Sequence, residues 1–509
     1  MQGMSKKLSG LLLVMLTYTV CNIFMFAING VCWDDSLIWN ADRSLFDFYF
    51  GLDACNNRIE YWYYTTILDN FSLQGQLVTF RILAFASGLL SSIAVWFLSK
   101  KVMGNNAASL SVALLFAACS VNRTGMMICC LHYAISNMLV LWGMVAIAYD
   151  YYKENIWFRS LAALLWLIAL LLWRSAVLLI PAVIVTLCCF KVNFRWNRLK
   201  SYGDVVVCAV SKYWMVILAC VFYAVSFLTF AHPKTFVAEY STVTAENLLL
   251  SPLTATMTSL HILLRYVGLL FEAFSFGDSL LSVCPVLLAV LLYVLFRKTE
   301  KSSVRNEDRV IIMAVVFLVF GVWPQMLIKD VIYTVDLHTE ASRIASLSPL
   351  PICVLLVCLV SHFPVKLEKA AMAFLISASV FYSVSVYLDY EVGQEKNRDI
   401  ESFFAANPEL KGKTVLIKDY ASNLNSFPGS YMRPYEYESL SAHVYGQDSA
   451  VKVSLNSSTE EIDYALTIDN GELTYGWYRL FAYRFIAPER YDEAVKRLVR
   501  FDLQSDEKE

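Results

Sequence analysis

The sequence predicts a polytopic α-helical membrane protein with a small α+β domain at its C-terminal end. Of the 509 residues, 58% are hydrophobic and only 17% are charged, and the mean hydropathy is +0.53. Soluble domains carry roughly 25% charged residues. Apolar runs long enough to cross a bilayer recur through residues 1–389, whereas residues 390–509 are rich in charge and mixed in pattern.

Eleven apolar runs are predicted to span the membrane. The first follows Lys6 and Lys7 and continues without a clear cleavage site, so we expect an uncleaved helix rather than a signal peptide. The predicted spans are 9–30, 78–99, 107–122, 127–149, 157–173, 175–190, 210–231, 279–296, 309–328, 344–362 and 368–388.

A twelfth apolar run, 253–275, is predicted not to cross. It contains His261, Arg265 and Glu272, and charged groups are expensive at the centre of a bilayer. Counting it as a span would also move the basic segment RKTEKSSVRNEDR to the outer side. We therefore expect a re-entrant or interfacial helix here.

The basic residues predict an orientation with the N-terminus in the cytoplasm. With that choice, 18 of the 27 Lys and Arg residues before residue 390 fall in inner loops, as the positive-inside rule requires. Two large features then face outward, the first loop at 31–77 and the domain at 390–509.

The outer domain shows signals for both helix and strand. EKNRDIESFFAANPEL is helix-like, and Pro408 and Gly412 mark a turn before the strand-like TVLIKDY. An Asp-Asn-Gly turn divides EIDYALTIDNGELTYGWYRLFAYRF, which indicates further strands. APERYDEAVKRLVRFDL is predicted to close the chain as an amphipathic helix.

The first outer loop is too polar for a span and unusually aromatic. Aromatic side chains favour the membrane interface, so we expect short surface helices within 31–77. Cys32 and Cys55 lie in this loop, where an oxidising compartment would allow a disulfide, and two unpaired thiols are the alternative.

Asp34 and Asp35 stand where the first helix leaves the membrane. A hydrated helix boundary accounts for one acid at that position. The alternative is chemical: a carboxylate at the interface reaches both a lipid-linked donor and a soluble acceptor, and it can act as a general base on a hydroxyl group. Adjacent side chains point in different directions, so one of the two is expected to enter the site.

Several function classes lack their signatures. The sequence contains no dinucleotide fingerprint, P-loop, CxxC pair or HExxH zinc motif, and the His and Cys residues do not have metal-ligand spacing. The net charge of −2 gives no general attraction to nucleic acid. We predict neither a metal nor a cofactor, and no nucleic-acid partner.

The arrangement resembles the GT-C fold glycosyltransferases, membrane enzymes that use polyprenyl-phosphate sugars. DDSLIWNADRSLFDFYFGLDACNNRIEYWYYTTI is similar to the first loop of bacterial and phage-encoded O-antigen glucosyltransferases, which convert serotype. Asp34 and Asp35 match their acid pair and Arg58 matches a later arginine, although Asn57 replaces the expected glycine. Arg174 and Ser175 in LLLWRSAVLL, and His338 and Arg343 in DLHTEASRIASLSPLP, fit two further outer turns.

The resemblance implies a hexosyltransferase at the periplasmic face of the bacterial inner membrane. It would transfer a sugar, expected to be glucose, from undecaprenyl phosphate to O-antigen or another surface polysaccharide with inversion. Asp34 or Asp35 would be the base. The residues expected to bind the substrates and the departing lipid phosphate are Arg58, Arg174, Lys329, His338 and Arg343, with Arg265 a further candidate.

Three alternatives remain open at this point. Another transferase of the same fold class would act on protein, lipid A or a wall polymer. A transporter of lipid-linked sugar would show internal repeats and broken spans in matching halves, and no convincing repeat is present. A non-catalytic assembly protein would tolerate loss of both acids.

Overall fold

The fold is described from a computed structural model of the chain. The structure describes residues 2–28, 30–31, 35–36, 38–39, 46–47, 58–230, 245–272, 283–327, 335–454, 462–471, 489, 495 and 498–505.

Helices dominate the described residues. The first seven are α1 (Gln2–Asn22), α2 (Arg58–Asn70), α3 (Leu73–Met103), α4 (Asn106–Ala117), α5 (Leu131–Lys153), α6 (Ile156–Leu172) and α7 (Leu179–Val192). The next seven are α8 (Leu199–Phe230), α9 (Ala245–Glu272), α10 (Val283–Phe296), α11 (Glu307–Met326), α12 (Pro349–Ser361), α13 (Val365–Ala406) and α14 (Pro434–Tyr445).

Each of the eleven predicted spans coincides with a helix. Among the described residues, seven helical segments are long and apolar enough to cross a membrane, and five shorter helices are also apolar. This pattern indicates a polytopic membrane protein. The number of crossings stays a prediction.

The two ends of the helix bundle differ in their side chains. We call the end that carries Asp35, Arg123 and Arg343 the loop end. The opposite end carries surface ion pairs such as Lys212–Glu154, at 2.6 Å.

Helix α9 is one of the seven helices long and apolar enough to cross a membrane, so the predicted non-crossing arrangement stays a prediction. Ser251 near its start accepts a hydrogen bond from Trp323, which lies three residues before the end of α11 (2.9 Å). Glu272 at its last position lies 3.1 Å from His338 in the loop that follows α11. Both parts of α9 therefore contact elements of the loop end.

Helix α8 contains two segments joined by a kink at Tyr213, whose backbone is not helical (φ −117°, ψ 22°). Lys212, just before the kink, lies at the opposite end of the bundle beside Glu154. The residues after the kink correspond to the predicted span at 210–231. The helical segment that precedes the kink was not predicted from the sequence.

The C-terminal region contains a four-stranded sheet, with β1 (Thr414–Asp419), β2 (Lys452–Ser454), β3 (Tyr464–Asn470) and β4 (Val499–Ser505) in the order β2-β1-β3-β4. Strand β1 pairs in parallel with β2 and β3, and β4 is antiparallel to β3. The turn at Gly412 and strand β1 confirm the prediction. The predicted closing helix is wrong for its last residues, because Val499–Ser505 form strand β4, which pairs with β3.

Helix α13 connects the bundle to this sheet without a break. It runs through the predicted domain boundary at 389/390, so the boundary itself stays a prediction. Lys396 of α13 is fully buried and donates to Asp419 Oδ2 (2.6 Å), Ala421 O (3.0 Å) and Asn425 Oδ1 (2.7 Å). Three acceptors satisfy all three N–H groups of the ammonium, which offsets the cost of burying its charge.

Gly143 allows α5 and α6 to pack closely. A Cβ atom at this position would lie 2.2 Å from Nε1 of Trp166, which is buried and donates to Val140 O at 3.1 Å. The bulky indole ring has no free space into which it can retreat, because it is enclosed by the bundle core.

We expect Gly143→Ala to destabilise the protein by about 1–3 kcal/mol, since it overpacks a tight helix contact. Thermal unfolding of the detergent-solubilised protein measures the loss. Gly203→Ala in α8 is the matched control, because its Cβ atom would meet no heavy atom within 4 Å. Equal unfolding temperatures for the two variants would contradict the packing argument.

Candidate active site at the loop end

Asp35 is the one member of the acid pair within the described residues, and it is buried, with 3% of its surface exposed. Its Oδ1 accepts a hydrogen bond from the backbone N–H of Cys129 at 2.8 Å. Its own carbonyl accepts from the amides of Ile38 and Trp39, which forms a short helical turn. The carboxylate is therefore turned into the protein and oriented, unlike a hydrated helix-boundary residue.

Two long side chains fix the chain just before Asp35. Arg81 of α3, itself buried, donates to the carbonyls of Ile28 and Gly30 at the end of the first helical segment. Gln394 of α13 donates to Val31 O at 2.7 Å. These bonds satisfy backbone carbonyls that follow the helical segment ending at Phe26, and they hold the start of the first loop in place.

Glu60 and His132 form a second buried acid–base pair in this region. Glu60 Oε1 lies 2.9 Å from His132 Nδ1, and both side chains are less than 10% exposed. Within the described residues neither ring nitrogen of His132 makes a directed hydrogen bond, so the structure shows the two groups in close contact without a hydrogen bond between them. His132 follows Cys129, the partner of Asp35, by three residues.

Aromatic rings surround this pair. His132 packs on Tyr133 and Trp173, with ring centroids 4.3 and 4.8 Å away, and Tyr64 donates to Ile128 O at 2.7 Å. Tyr64, Tyr133 and Trp173 thus form an aromatic wall next to Glu60 and His132. Of these three only Tyr64 belongs to the first loop, and Trp62 of the same loop is 66% exposed.

Two of the predicted cations occupy short turns at this end. Arg343 is half-buried in the 3-10 turn Glu340–Ala345, close enough for its charge to act on the Tyr133 hydroxyl, as Glu60 also does. Arg174 is half-buried in the turn Arg174–Ala176, directly after Trp173, and its charge acts on Tyr223.

Among the described residues of the loop end, Arg123 is a further buried cation, at 2% exposure. Its guanidinium forms an ion pair with Asp389 of α13, and its Nη1 lies 3.2 Å from His338 Nδ1 and 3.3 Å from His338 O. Its backbone is also held, since its amide donates to Ser342 Oγ at 3.1 Å and its carbonyl accepts from Tyr390.

His338 connects Arg123 to α9. Its Nε2 lies 3.1 Å from Glu272, which also accepts a hydrogen bond from Arg265 at 2.8 Å. Burial, reinforced by the neighbouring charge of Arg123, lowers the pKa of His338, and the carboxylate of Glu272 opposes that shift. The ring is therefore mainly neutral near pH 7.

Some predicted residues lie outside the described residues. Asp34, Lys329 and both cysteines of the proposed disulfide, Cys32 and Cys55, belong to this group. Arg58 is the first residue of α2, and only its backbone is described. The roles given to these residues stay predictions.

The sequence reading missed Glu60, Arg123, His132 and Asp389 as site residues. Arg123 had a usable signal, since it is a charged residue in the short polar segment SVNRTG between two apolar runs on the predicted outer side. The others pair with residues far along the chain, and no local pattern marks such partners. Among the described residues no group of three or more His, Cys, Asp or Glu side chains is arranged to hold a metal ion.

Comparison with known proteins finds no matching protein-family model and no matching curated protein sequence.

The lowered pKa of His338 predicts acid sensitivity. The unfolded chain binds a proton near pH 6.5, whereas the folded ring does so only at lower pH, so stability falls as pH drops below about 6.5. His338→Gln keeps a polar side chain that does not titrate. We expect its unfolding temperature to fall less steeply than that of wild type between about pH 6.5 and 5. Parallel pH curves for the two proteins would contradict this reading.

Proposed function

We propose that this protein is a membrane glycosyltransferase that uses a polyprenyl-phosphate hexose and works at the loop end. The observation that carries the proposal is Asp35: a buried, oriented carboxylate beside an aromatic wall, at the end of the bundle that also holds Arg343 and Arg174. A base and phosphate-binding cations at a membrane edge are the groups that transfer from a lipid phosphate requires.

In the proposed reaction, Asp35 accepts the proton of an acceptor hydroxyl. The hydroxyl oxygen forms a bond to the anomeric carbon as the bond from that carbon to the phosphate oxygen breaks. The configuration inverts, and polyprenyl phosphate leaves with the bonding electron pair. The Cys129 N–H holds one carboxylate oxygen and sets the direction of the group. Asp34 is the alternative base in the neighbouring position.

Arg343 is assigned to the departing phosphate, with Arg174 as a second cation. Charge developing on phosphate at the edge of a low-dielectric region needs a positive partner, and a guanidinium offers two parallel N–H groups. Arg123 is not assigned this role, because Asp389 already neutralises its charge.

The proposal places the protein in a bacterial inner membrane. The loop end faces the periplasm and the opposite end faces the cytoplasm, in accord with the distribution of Lys and Arg. The acceptor is O-antigen or a related surface polysaccharide.

We expect Asp35→Asn or Asp34→Asn to reduce transfer by roughly 100-fold or more, because an amide cannot accept the hydroxyl proton. Mass spectrometry of surface polysaccharide from cells with matched protein levels reports the added hexose and identifies the base. Asp69→Asn in α2 is the control, since Asp69 is exposed. Undiminished hexose in both acid-pair variants would leave the pair as a helix boundary only.

We expect Arg343→Gln to lower kcat by roughly 100-fold and Arg343→Lys by less, since lysine keeps the charge but not the paired N–H groups. Purified enzyme with polyprenyl-phosphate hexose and acceptor gives the rates. If glutamine and lysine variants are equally active, Arg343 does not stabilise the leaving phosphate.

A further inference from the structure

An apolar cavity of about 110 Å³ lies in the half of the bundle away from the loop end. Its walls come from α3, α4, α5, α7, α11 and α12, and α11 lines it from Val310 to Phe317, a depth of about 10 Å. None of its lining residues is charged. Its one polar side chain is Ser99, whose hydroxyl already donates to two backbone carbonyls at 3.1 Å. The cavity therefore suits hydrocarbon and not a polar molecule.

The size of the cavity corresponds to part of one acyl chain. By this measure of volume a water molecule needs roughly 15 Å³, and a methylene group is of about the same size. The cavity of about 110 Å³ thus holds roughly seven methylene groups. Two of the helices that line it, α7 and α11, also carry exposed apolar side chains, Val185 and Ile312. In a bilayer those side chains face lipid, so hydrocarbon is close to the cavity wall.

Two arginines border the end of the cavity nearest the surface. Arg305 is exposed, and its amide donates to the carbonyl of the lining residue Met103 at 3.0 Å. Arg309 is exposed and directly precedes the lining residue Val310. Its guanidinium carbon lies 5.5 Å from the centre of the Phe190 ring on α7. Both side chains are therefore held at the rim of the cavity.

Lys101 is a third cation at this rim. It directly precedes the lining residue Val102, and its Nζ lies 4.6 Å from the ring centre of Tyr152 and 5.1 Å from that of Tyr149. Tyr149 follows the lining residue Ala148. We call Lys101, Arg305 and Arg309 the basic rim.

Within the part of the chain that the structure describes, the basic rim forms no ion pair with a carboxylate. The acids nearby have other partners, since Glu307 lies 2.8 Å from His362 and Glu154 lies 2.6 Å from Lys212. Asp308 is exposed and offsets one of the three positive charges. The rim thus keeps an excess of positive charge.

A basic rim over an apolar cavity fits an anionic phospholipid. Basic pockets between membrane helices bind anionic lipid headgroups, and guanidinium groups hold phosphate with paired N–H donors. An uncharged lipid would leave the positive charge of the rim unused. A free phosphate would leave the cavity unused.

We propose that this end of the bundle binds an anionic membrane phospholipid, with one acyl chain in the apolar cavity and the phosphate at Arg305 and Arg309. The site lies outside the loop end and shares no residue with the groups assigned to sugar transfer. Its success or failure therefore does not depend on the proposed function.

The test measures lipid binding by the purified full-length protein in a non-ionic detergent. Thermal unfolding is followed with rising phosphatidylglycerol, with phosphatidylcholine of the same acyl chains, and with glycerol 3-phosphate. We expect phosphatidylglycerol to raise the unfolding temperature in a saturable way, at concentrations about tenfold lower than phosphatidylcholine requires. Glycerol 3-phosphate should give no shift, because it has no acyl chain.

The headgroup contacts are tested by combining Arg305→Gln with Arg309→Gln. We expect this double variant to bind phosphatidylglycerol about tenfold more weakly and to bind phosphatidylcholine as wild type does. The matched control combines Arg297→Gln with Lys298→Gln, which removes the same charge from two exposed residues after α10, a helix that does not line the cavity. The control should bind phosphatidylglycerol like wild type.

The chain site is tested by Ala314→Leu, which fills the cavity from α11. We expect it to weaken phosphatidylglycerol binding by about tenfold. Ala148→Leu fills the cavity from α5 and serves if Ala314→Leu does not fold.

Four results would each overturn the proposal. Equal responses to the two lipids would show no preference for the anionic headgroup, and a shift with glycerol 3-phosphate would indicate a site for free phosphate. Equal losses in the two double variants would indicate a general attraction to the charged surface. Undiminished phosphatidylglycerol binding in both cavity-filling variants would exclude the acyl chain from the cavity.

Discussion

The loop end depends on the ion pair between Arg123, which is buried, and Asp389, whose side chain is 31% exposed. Arg123 comes from the turn before α5, and Asp389 comes from α13, so the pair joins segments 266 residues apart. Through His338 and Ser342 the same arginine also holds the loop before α12. Removing Asp389 would leave the buried charge of Arg123 uncompensated, which costs more than the ion pair contributes to stability. The ion pair and its hydrogen bonds thus hold together the turn before α5, helix α13 and the loop before α12.

Much of the helical architecture was predictable from short stretches of sequence. The apolar runs located all eleven expected helices, because an apolar run of spanning length has few other options in a bilayer. The cost of charge at the membrane centre led to the prediction that α9 does not cross; because α9 is long and apolar enough to span, this stays a prediction. The turn residues Pro408 and Gly412 correctly placed the start of β1.

Long-range pairing was not predictable. The segment RFDL has the pattern of a helix, but the hydrogen bonds offered by β3 decide its structure. Asp35 was found from its position near the helix end, whereas Glu60 and Asp389 gain their significance from His132 and Arg123, which lie distant in sequence. That Asp35 is buried, and that it contacts Cys129, is a property of the assembled bundle rather than of its parts.

Helix α13 is a continuous rod of 42 residues, roughly 60 Å long. It contributes Asp389 to the ion pair, Gln394 to the start of the first loop and Lys396 to the sheet region. At Gly393 the rod meets the backbone of Ser426 so closely that a Cβ atom would lie 2.4 Å from its nitrogen. A displacement of the sheet region would therefore be carried along this helix to Asp389, the ion-pair partner of Arg123.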